Sequence, residues 1–312
     1  MAKKKTATRG AAARHRRLLT DIIDHCRVDP GEEVRLTDRD AGWAGDQKLP
    51  KRDRKKLAEE LLSQTVSELA EAQELLYASR TWAVLIVLQG RDAAGKDSTI
   101  RHVMSGVNPQ GCQVHSFKQP SPEELAHDFL WRCAKALPAR GQIGIFNRSH
   151  YEEVIVVRVH PELFAAQRIP NAKLDDGLWR QRYESINDFE RHLARNGTKI
   201  IKCFLNVSKE EQHERFLERI NKPDKHWKFS AQDVREREFW DEYTAAYEQM
   251  LTATSTEWAP WYVIPADHKW VSRALVANVI TSTIAGLKLR YPELTPEERK
   301  ALKAAAAELR RE

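Results

Sequence analysis

Ala83-Val-Leu-Ile-Val-Leu-Gln-Gly-Arg-Asp-Ala-Ala-Gly-Lys-Asp-Ser-Thr99 carries an apolar, β-branched run straight into a glycine-spaced loop. An unbroken apolar run of this length ending at glycine predicts a strand buried on both faces, the usual condition of a parallel sheet. Gly90, Gly95 and Lys96 then follow with the G-x4-G-K spacing of a phosphate-binding loop. The glycines let the N–H groups of Arg91, Ala93 and Ala94 converge on phosphate oxygens. The following helix adds about half a positive charge at its N-terminus, and the lysine reaches an outer phosphate. Ile100, Val103 and Met104 continue at helical spacing and Gly106 closes the segment, so the loop stands in the strand–loop–helix context that gives the pattern its meaning.

The loop departs from the ATP-binding pattern at one position. The hydroxyl that normally follows the lysine and holds Mg²⁺ is absent, because Asp97 occupies that place and Ser98 comes one residue late. Asp92 adds a carboxylate where phosphates must sit, which is repulsive unless a metal or a proton compensates it. It reads as a metal organiser or an acid–base group, with a turn residue bonding its own backbone as the plain alternative.

A chain of 312 residues can bury a full core, and 31% charged with 41% hydrophobic residues describes a polar globular protein with long helices. The formal net charge is +6, and residues 1–17 carry seven Lys/Arg and no acid, which leaves the rest at −1. The excess charge therefore belongs to an arm, residues 1–17, too poor in apolar surface to order itself. Residues 18–292 read as one domain, and residues 293–312 as a charged, helical or frayed tail. Cys26, Cys112, Cys133 and Cys203 are widely spaced in apolar surroundings, as expected of reduced core thiols, and no cluster has zinc spacing. With no apolar run near the length of a membrane span and no apolar signal segment, the expected location is the cytoplasm, without a membrane partner.

Along the chain, Arg52 to Ser79 shows apolar residues at helical spacing, and Arg17 to His25 suits a short helix. Cys112–Phe117, Gln142–Asn147, Thr198–Val207 and Trp261–Ile264 read as further strands. Between them lie helices expected from Ser121, a capping-box start, to about Leu137, from Lys173 to Asn196, and from a second capping box at Ser208 to about Asn221. Lys222 to Phe229 reads as a loop, Ser230 caps another long helix, and Lys269 to Leu289 closes the domain. Strands separated by helices imply a parallel sheet with right-handed crossovers and helices on both faces. Such sheets bind ligands beyond their C-terminal strand ends, where Asp92, Lys96, Lys118, Asn147, Arg148, Asp267 and His268 all fall. That convergence predicts a phosphoryl-transfer site.

Strand three ends in Asn147, where an NTPase usually carries a metal carboxylate. Either Asn147 contacts the metal through its carbonyl, or Glu152 or Glu153 supplies the charge. Arg148, a rigid fork beside the loop, suits a phosphate grip, with a helix-start ion pair as the plain alternative. His150 and Tyr151 fit ligand contact and core packing equally. Arg215, Arg219, Lys222, Lys225 and Lys228, interleaved with Trp227 and Phe229, suggest a hinged lid over phosphate or a base, against the plainer reading of a solvated basic face. The arginines and acids of Trp179 to Arg195 read as a salt-bridged helix face.

Taken together, Gly90-Arg-Asp-Ala-Ala-Gly-Lys96, Val107-Asn-Pro-Gln-Gly111, Ser116-Phe-Lys-Gln-Pro120, His127-Asp-Phe-Leu-Trp-Arg132, Phe146-Asn-Arg-Ser-His-Tyr-Glu152 and Lys225-His-Trp-Lys-Phe229 resemble the polyphosphate kinase 2 family from about Arg27 to Pro292. The resemblance implies a three-layer, thymidylate-kinase-like P-loop fold with a five-stranded parallel sheet and a helical lid. It also implies transfer of phosphoryl groups between inorganic polyphosphate and nucleotides. By position, Asp92 and Lys96 match the family's loop pair and Arg148 its strand-three phosphate-binding arginine. Mg²⁺ or Mn²⁺, a basic polyphosphate channel and a homodimer or homotetramer are implied as well. The Asn-Arg-Ser-His-Tyr-Glu form resembles the group that phosphorylates both AMP and ADP, although Glu153 stands where that group often has Asp. The expected partners are polyphosphate and AMP, ADP and ATP, with guanine nucleotides open and no specific nucleic acid. Two alternatives stand beside this reading: an ATP-dependent kinase of a small metabolite, and a non-enzymatic nucleic-acid-binding protein using the basic arm.

Overall fold

The computed structural model describes Arg17 and residues 21–311; the expected basic arm otherwise lies outside the described residues. Five parallel strands form one sheet in the order β2-β3-β1-β4-β5: β1 Ala83–Gln89, β2 Cys112–Ser116, β3 Ile143–Asn147, β4 Thr198–Asn206 and β5 Trp261–Pro265. Every residue of β1 is buried, as the apolar run predicts, because helices cover both faces of the sheet. Val84, Ile86 and Leu88 enter one core with Leu69, Val103, Leu275 and Ile280, while Leu85 and Val87 enter the other with Phe146, Ile155, Ile186 and Met250. The period of two in a strand thus divides one apolar run between two layers.

The first face is covered by α1 (Lys51–Ser79), α2 (Lys96–Val103) and the last helix of the domain, Lys269–Ala285. α1 buries Ala58, Thr65, Leu69, Gln73 and Leu76 along one stripe and ends where Arg80 turns left-handed at φ 49°. On the second face lie α3 (Glu152–Val159), α4 (Asp176–Arg195) and α6 (Trp240–Thr254), while α5 (Lys209–Asn221) borders the phosphate loop. α7 (Lys269–Ala285) returns to the first face alongside α1; it is apolar nearly all round and buried to match. α8 (Pro296–Leu309) opens with the capping box of Thr295 and Glu298 and buries none of its residues.

Several elements differ from expectation, each for a local reason. The helix expected over residues 121–137 is two short ones, Pro122–Leu125 and Trp131–Lys135. Between them Asp128 takes the Leu130 N–H at 2.9 Å and so competes with helix continuation. The segment after Ser230 is likewise broken into Ala231–Arg235, a 3-10 turn over Glu236–Phe239, and α6. Lys222 to Phe229 is not irregular, since Pro223–Lys228 form a 3-10 helix with proline at its start. Ser208 accepts the Glu211 N–H at 3.1 Å, but Glu211 turns to Arg215 at 2.7 Å instead of closing a capping box. The Lys173 start moves to Asp176, capped by Asp175, and α7 stops at Ala285, short of Leu289.

Among the described residues no helix is long and apolar enough to cross a membrane. All four cysteines are free, and burial pushes the thiols of Cys26 and Cys133 up to about 12.

Gly144 lies in the middle of β3, where an added Cβ would meet the Pro138 ring at 2.8 to 3.1 Å. Gly144→Ala should therefore cost about 1–3 kcal/mol by overpacking, read as a lower urea midpoint at unchanged slope; an unchanged midpoint would show that the 138–144 connection yields freely.

Candidate active site

The site begins with one backbone contact. Leu88 of β1 pairs with Asn147 of β3, and the Arg148 N–H donates to the Leu88 carbonyl at 3.1 Å. The strand-three turn is thereby laid against the entrance of the phosphate loop. Within the loop Gly90 has φ 152°, and a Cβ there would lie 2.9 Å from the Leu205 carbonyl oxygen, so only glycine fits. Ala93 adopts φ 61° and Arg148 φ 63°, left-handed conformations for residues with side chains, placed at the two ends of one ion pair's surroundings.

That ion pair is Arg148 with Asp92, at 2.5 Å, and Glu152 stands 3.8 Å from the same guanidinium. Lys96, the first residue of α2, folds its Nζ back to donate to the carbonyls of Gly90 at 2.5 Å and Arg91 at 3.1 Å. Burial and the nearby Arg148 lower the pKa of Lys96, with Asp92, Glu152 and Asp97 opposing. Burial raises the pKa of Glu152, against the attraction of Arg148 and Lys96. Two cations and two carboxylates thus meet within one partly desolvated cluster. An anionic ligand entering it gains cationic partners already oriented by the loop.

Asp92, Arg148 and Glu152 line a cavity of about 520 Å³ that extends past Phe117 and Lys118 to Trp240 and Tyr243. Its volume suits a small-molecule substrate. The expected loop residue Asp97 accepts from Asn147 Nδ2 at 2.7 Å, and Ser98 accepts from Arg273 at 2.6 Å, so neither stands in for the missing hydroxyl. Asn147 Oδ1 and Gln89 Oε1 are buried without a partner.

Other expected contacts are placed differently. Arg215, 5% exposed, donates to the carbonyls of Ala93, Ala94, Ala266 and Asp267 and to Glu211, so its whole guanidinium braces the back of the loop. Gly95 lies against it, a Cβ there being 3.7 Å from the guanidinium. Arg91 likewise stacks on Trp240 at 3.8 Å and bonds Thr244 at 2.5 Å, and burial lowers its pKa to about 10. Tyr151 is fully buried, with its hydroxyl on Glu190 at 2.7 Å, and His150 faces only a small side cavity of about 50 Å³. Both belong behind the site, buried in the turn between β3 and α3. Lys222 and Lys225 share Glu218 at 2.6 and 2.8 Å, and these two hydrogen bonds pull that carboxyl down to about 2. Arg219 lies 3.5 Å from Asp233, Lys228 lies 4.8 Å from the Trp227 ring, and Trp227 is 78% exposed. None of Arg219, Lys222, Lys225, Lys228 and Trp227 lines the cavity. Asp267 is spent on the Ser208 N–H at 2.8 Å.

Residues not expected to matter also appear. Asp233 lines the cavity, and burial together with Asp92 raises its pKa. Gln212 donates to the Asp92 carbonyl at 2.9 Å, and Arg132 lines the cavity while donating to the Lys118 carbonyl at 2.7 Å. Arg132 lay within a motif already noticed, whereas Asp233 in a first helical turn carries no signal beyond that of an ordinary helix-start acid. Glu153, expected as a possible charge for metal, pairs with Arg182 at 2.9 Å and accepts from Gln167 at 2.7 Å.

No three His, Cys, Asp or Glu side chains among the described residues form a metal cage. Asp92 and Glu152 nonetheless fit a hard divalent ion, which such sites hold by one or two carboxylates together with substrate phosphates and water.

The family model for polyphosphate kinase 2 matches residues 51–292. The chain belongs to the polyphosphate kinase 2 family. It is 52% identical over 277 residues to an ADP-polyphosphate phosphotransferase of Rhodopseudomonas palustris, covering 88% of this chain and 94% of the relative. It is 47% identical over 239 residues to an AMP/ADP-polyphosphate phosphotransferase of Meiothermus ruber, covering 77% and 85%. The fold matches the crystal structure of polyphosphate kinase 2 from Arthrobacter aurescens TC1 with a TM-score of 0.80 at 37% identity, over 92% of this chain and 96% of that one. The polyphosphate kinase 2 assignment places the chain among P-loop kinase-like phosphotransferases that need a divalent metal.

Burial couples the Glu152 proton to folding. Above its ordinary value of 4.5 the folded chain holds this proton more tightly than the unfolded chain, so the carboxylate costs stability progressively as pH rises through the raised value. Thermal midpoints across pH should show Glu152→Gln gaining on the parent as pH increases; the reverse trend would mean that Arg148 overcomes the burial of Glu152.

Proposed function

We propose that this polyphosphate-dependent nucleotide phosphotransferase moves the terminal phosphoryl group of inorganic polyphosphate to both AMP and ADP, with Asp92, Lys96 and Arg148 as its catalytic residues. The observation that carries the reading is the Asp92–Arg148 pair, at 2.5 Å, on the wall of the 520 Å³ cavity and beside the phosphate loop. An oxygen of the acceptor's terminal phosphate attacks the end phosphorus of the chain. The new O–P bond forms as the bridging P–O bond breaks, and the shortened polyphosphate leaves with that electron pair. Lys96, Arg148 and the loop N–H groups offset charge on the transferring oxygens, and Asp92 orients the reactants in line. Opening of the Asp92–Arg148 pair frees the guanidinium for phosphate and the carboxylate for metal. A divalent ion, Mg²⁺ or Mn²⁺, held by Asp92 and Glu152 would neutralise phosphate charge.

A polyphosphate donor suits a loop without the usual Mg²⁺-binding hydroxyl. Lys222, Lys225 and Lys228 belong on this reading to a lid, the 3-10 helix Pro223–Lys228 with the preceding Lys222 as its N-cap, that closes on substrate from outside the cavity. The dual-acceptor reading is supported by the Asn-Arg-Ser-His-Tyr-Glu motif and by the name of the Meiothermus ruber relative; the name of the Rhodopseudomonas palustris relative favours ADP alone.

Pure protein with polyphosphate, divalent metal and AMP should yield ADP and then ATP; ATP from ADP with AMP inert would establish the ADP-only reading. Lys96→Ala and Asp92→Asn should each lower turnover about 10²-fold or more, the scale for losing one preorganised charge partner, with unchanged thermal midpoints. Turnover within about threefold of the parent, against that expected 10²-fold loss, would remove the residue from the chemistry.

A further inference from the structure

Lys202 sits in the middle of β4 with no exposed surface, and its partner Glu190, on the inner side of α4, is equally buried. The ammonium donates to Glu190 Oε2 at 2.6 Å, to the Tyr151 hydroxyl at 2.9 Å and to the Thr254 carbonyl at 2.7 Å, which uses all of its donors. The Tyr151 hydroxyl donates in turn to Glu190 Oε1 at 2.7 Å. Thr254 Oγ1 accepts from the Trp261 indole at 2.9 Å, and the Tyr151 and Trp261 rings meet edge to face at 4.9 Å. His150 Nε2 stands 3.5 Å from Glu190 Oε1. One buried charge pair therefore ties α4, β4, the end of α6 and β5 to Tyr151.

A buried ion pair is weak evidence for stability, since its desolvation commonly costs as much as the attraction returns. What this pair does have is a position. Tyr151 immediately precedes Glu152 and lies three residues after Arg148, in the turn where Arg148 is left-handed and the Ser149 hydroxyl accepts from Gln89 at 3.2 Å and from the Tyr151 N–H at 3.2 Å. The turn's other ties include backbone bonds, from the Arg148 N–H to the Leu88 carbonyl and from the Glu152 N–H to the Ser149 carbonyl, both at 3.1 Å; the Tyr151 hydroxyl adds a side-chain tie to the charged pair behind it. We propose that Lys202 and Glu190 are positioning residues that act through Tyr151 to hold Arg148 and Glu152 in register with the phosphate loop. The inference rests on the assignment of Arg148 to the chemistry made above.

The 2.6 Å contact and the three acceptors around the ammonium are the geometry of an ion pair; burial lowers the pKa of Lys202 while Glu190 opposes it, and burial works to raise that of Glu190 while Lys202 brings it down. Replacing both with an apolar side chain of similar volume removes the charges without leaving either unpaired. Lys202→Met with Glu190→Met leaves the buried Tyr151 hydroxyl without its two partners, so it should lower the thermal midpoint less than either single variant, yet lower kcat about tenfold or more, with KM for nucleotide and for polyphosphate within about twofold, because misplacement of these groups is felt in the transition state. A purely structural pair predicts parental kcat wherever stability is kept. Tyr151→Phe, which leaves the ion pair and deletes only the link, should reproduce the fall in kcat at unchanged KM and carries the test if the double variant does not fold. Parental kcat in a folded double variant or in Tyr151→Phe, or a change confined to KM, overturns the inference. Arg148→Ala is the control: loss of turnover there alongside parental network variants overturns the inference alone, whereas parental turnover in Arg148→Ala overturns the site reading and the inference with it.

Discussion

The register between two parallel strands carries the rest of the site. Leu88 lies opposite Asn147, and the next backbone bond, from the Arg148 N–H to the Leu88 carbonyl, brings the end of β3 against the start of the phosphate loop. Strand register cannot slip by one residue without turning every side chain to the other layer. The division of β1 between two buried cores, with Ile86 on one face and Val87 on the other, therefore holds Arg148 and Asp92 together as firmly as it holds the sheet.

Charge balance is the second constraint. Lys96 and Arg148 would repel one another in a desolvated cluster, and Asp92 and Glu152 would do the same; interleaved, they are mutually tolerable. The arrangement is poised because no single charge is satisfied by a fixed permanent partner of its own: Lys96 rests on loop carbonyls, and Arg148 is shared by two carboxylates. Phosphate oxygens can take over those cations, and a divalent ion the carboxylates, with little movement of the scaffold.

Not every cation near a phosphate loop serves phosphate. Arg215 is fully engaged by backbone carbonyls and Glu211 and gives the loop a rigid back, while Arg91, on the cavity wall, is held by the Trp240 indole and Thr244. A planar guanidinium with five donors can brace several carbonyls at once, which a lysine cannot. The same positive charge still contributes to the field in the cavity, so bracing and electrostatic preparation come from the same residues.

The order of strands and helices, the buried character of β1, the phosphate loop and the cluster of Asp92, Lys96 and Arg148 were legible in the sequence, because apolar periodicity and glycine spacing are local and leave a direct trace. The motifs carried the family as well, since their order along the chain is itself information. Only the tertiary structure decided what each charged side chain faces. Arg215 and Arg148 look alike as neighbours of a phosphate loop, yet one meets carbonyls behind it and the other a carboxylate at its mouth. Glu190 reads as one acid among many on a charged helix, and Lys202 as an oddity in an apolar strand; their pairing joins residues far apart in the chain. Asp233 reaches the cavity through the packing of its short helix, Ala231–Arg235, against the site. Such contacts depend on how separate elements pack, and packing sets a direction for each side chain that no local pattern encodes.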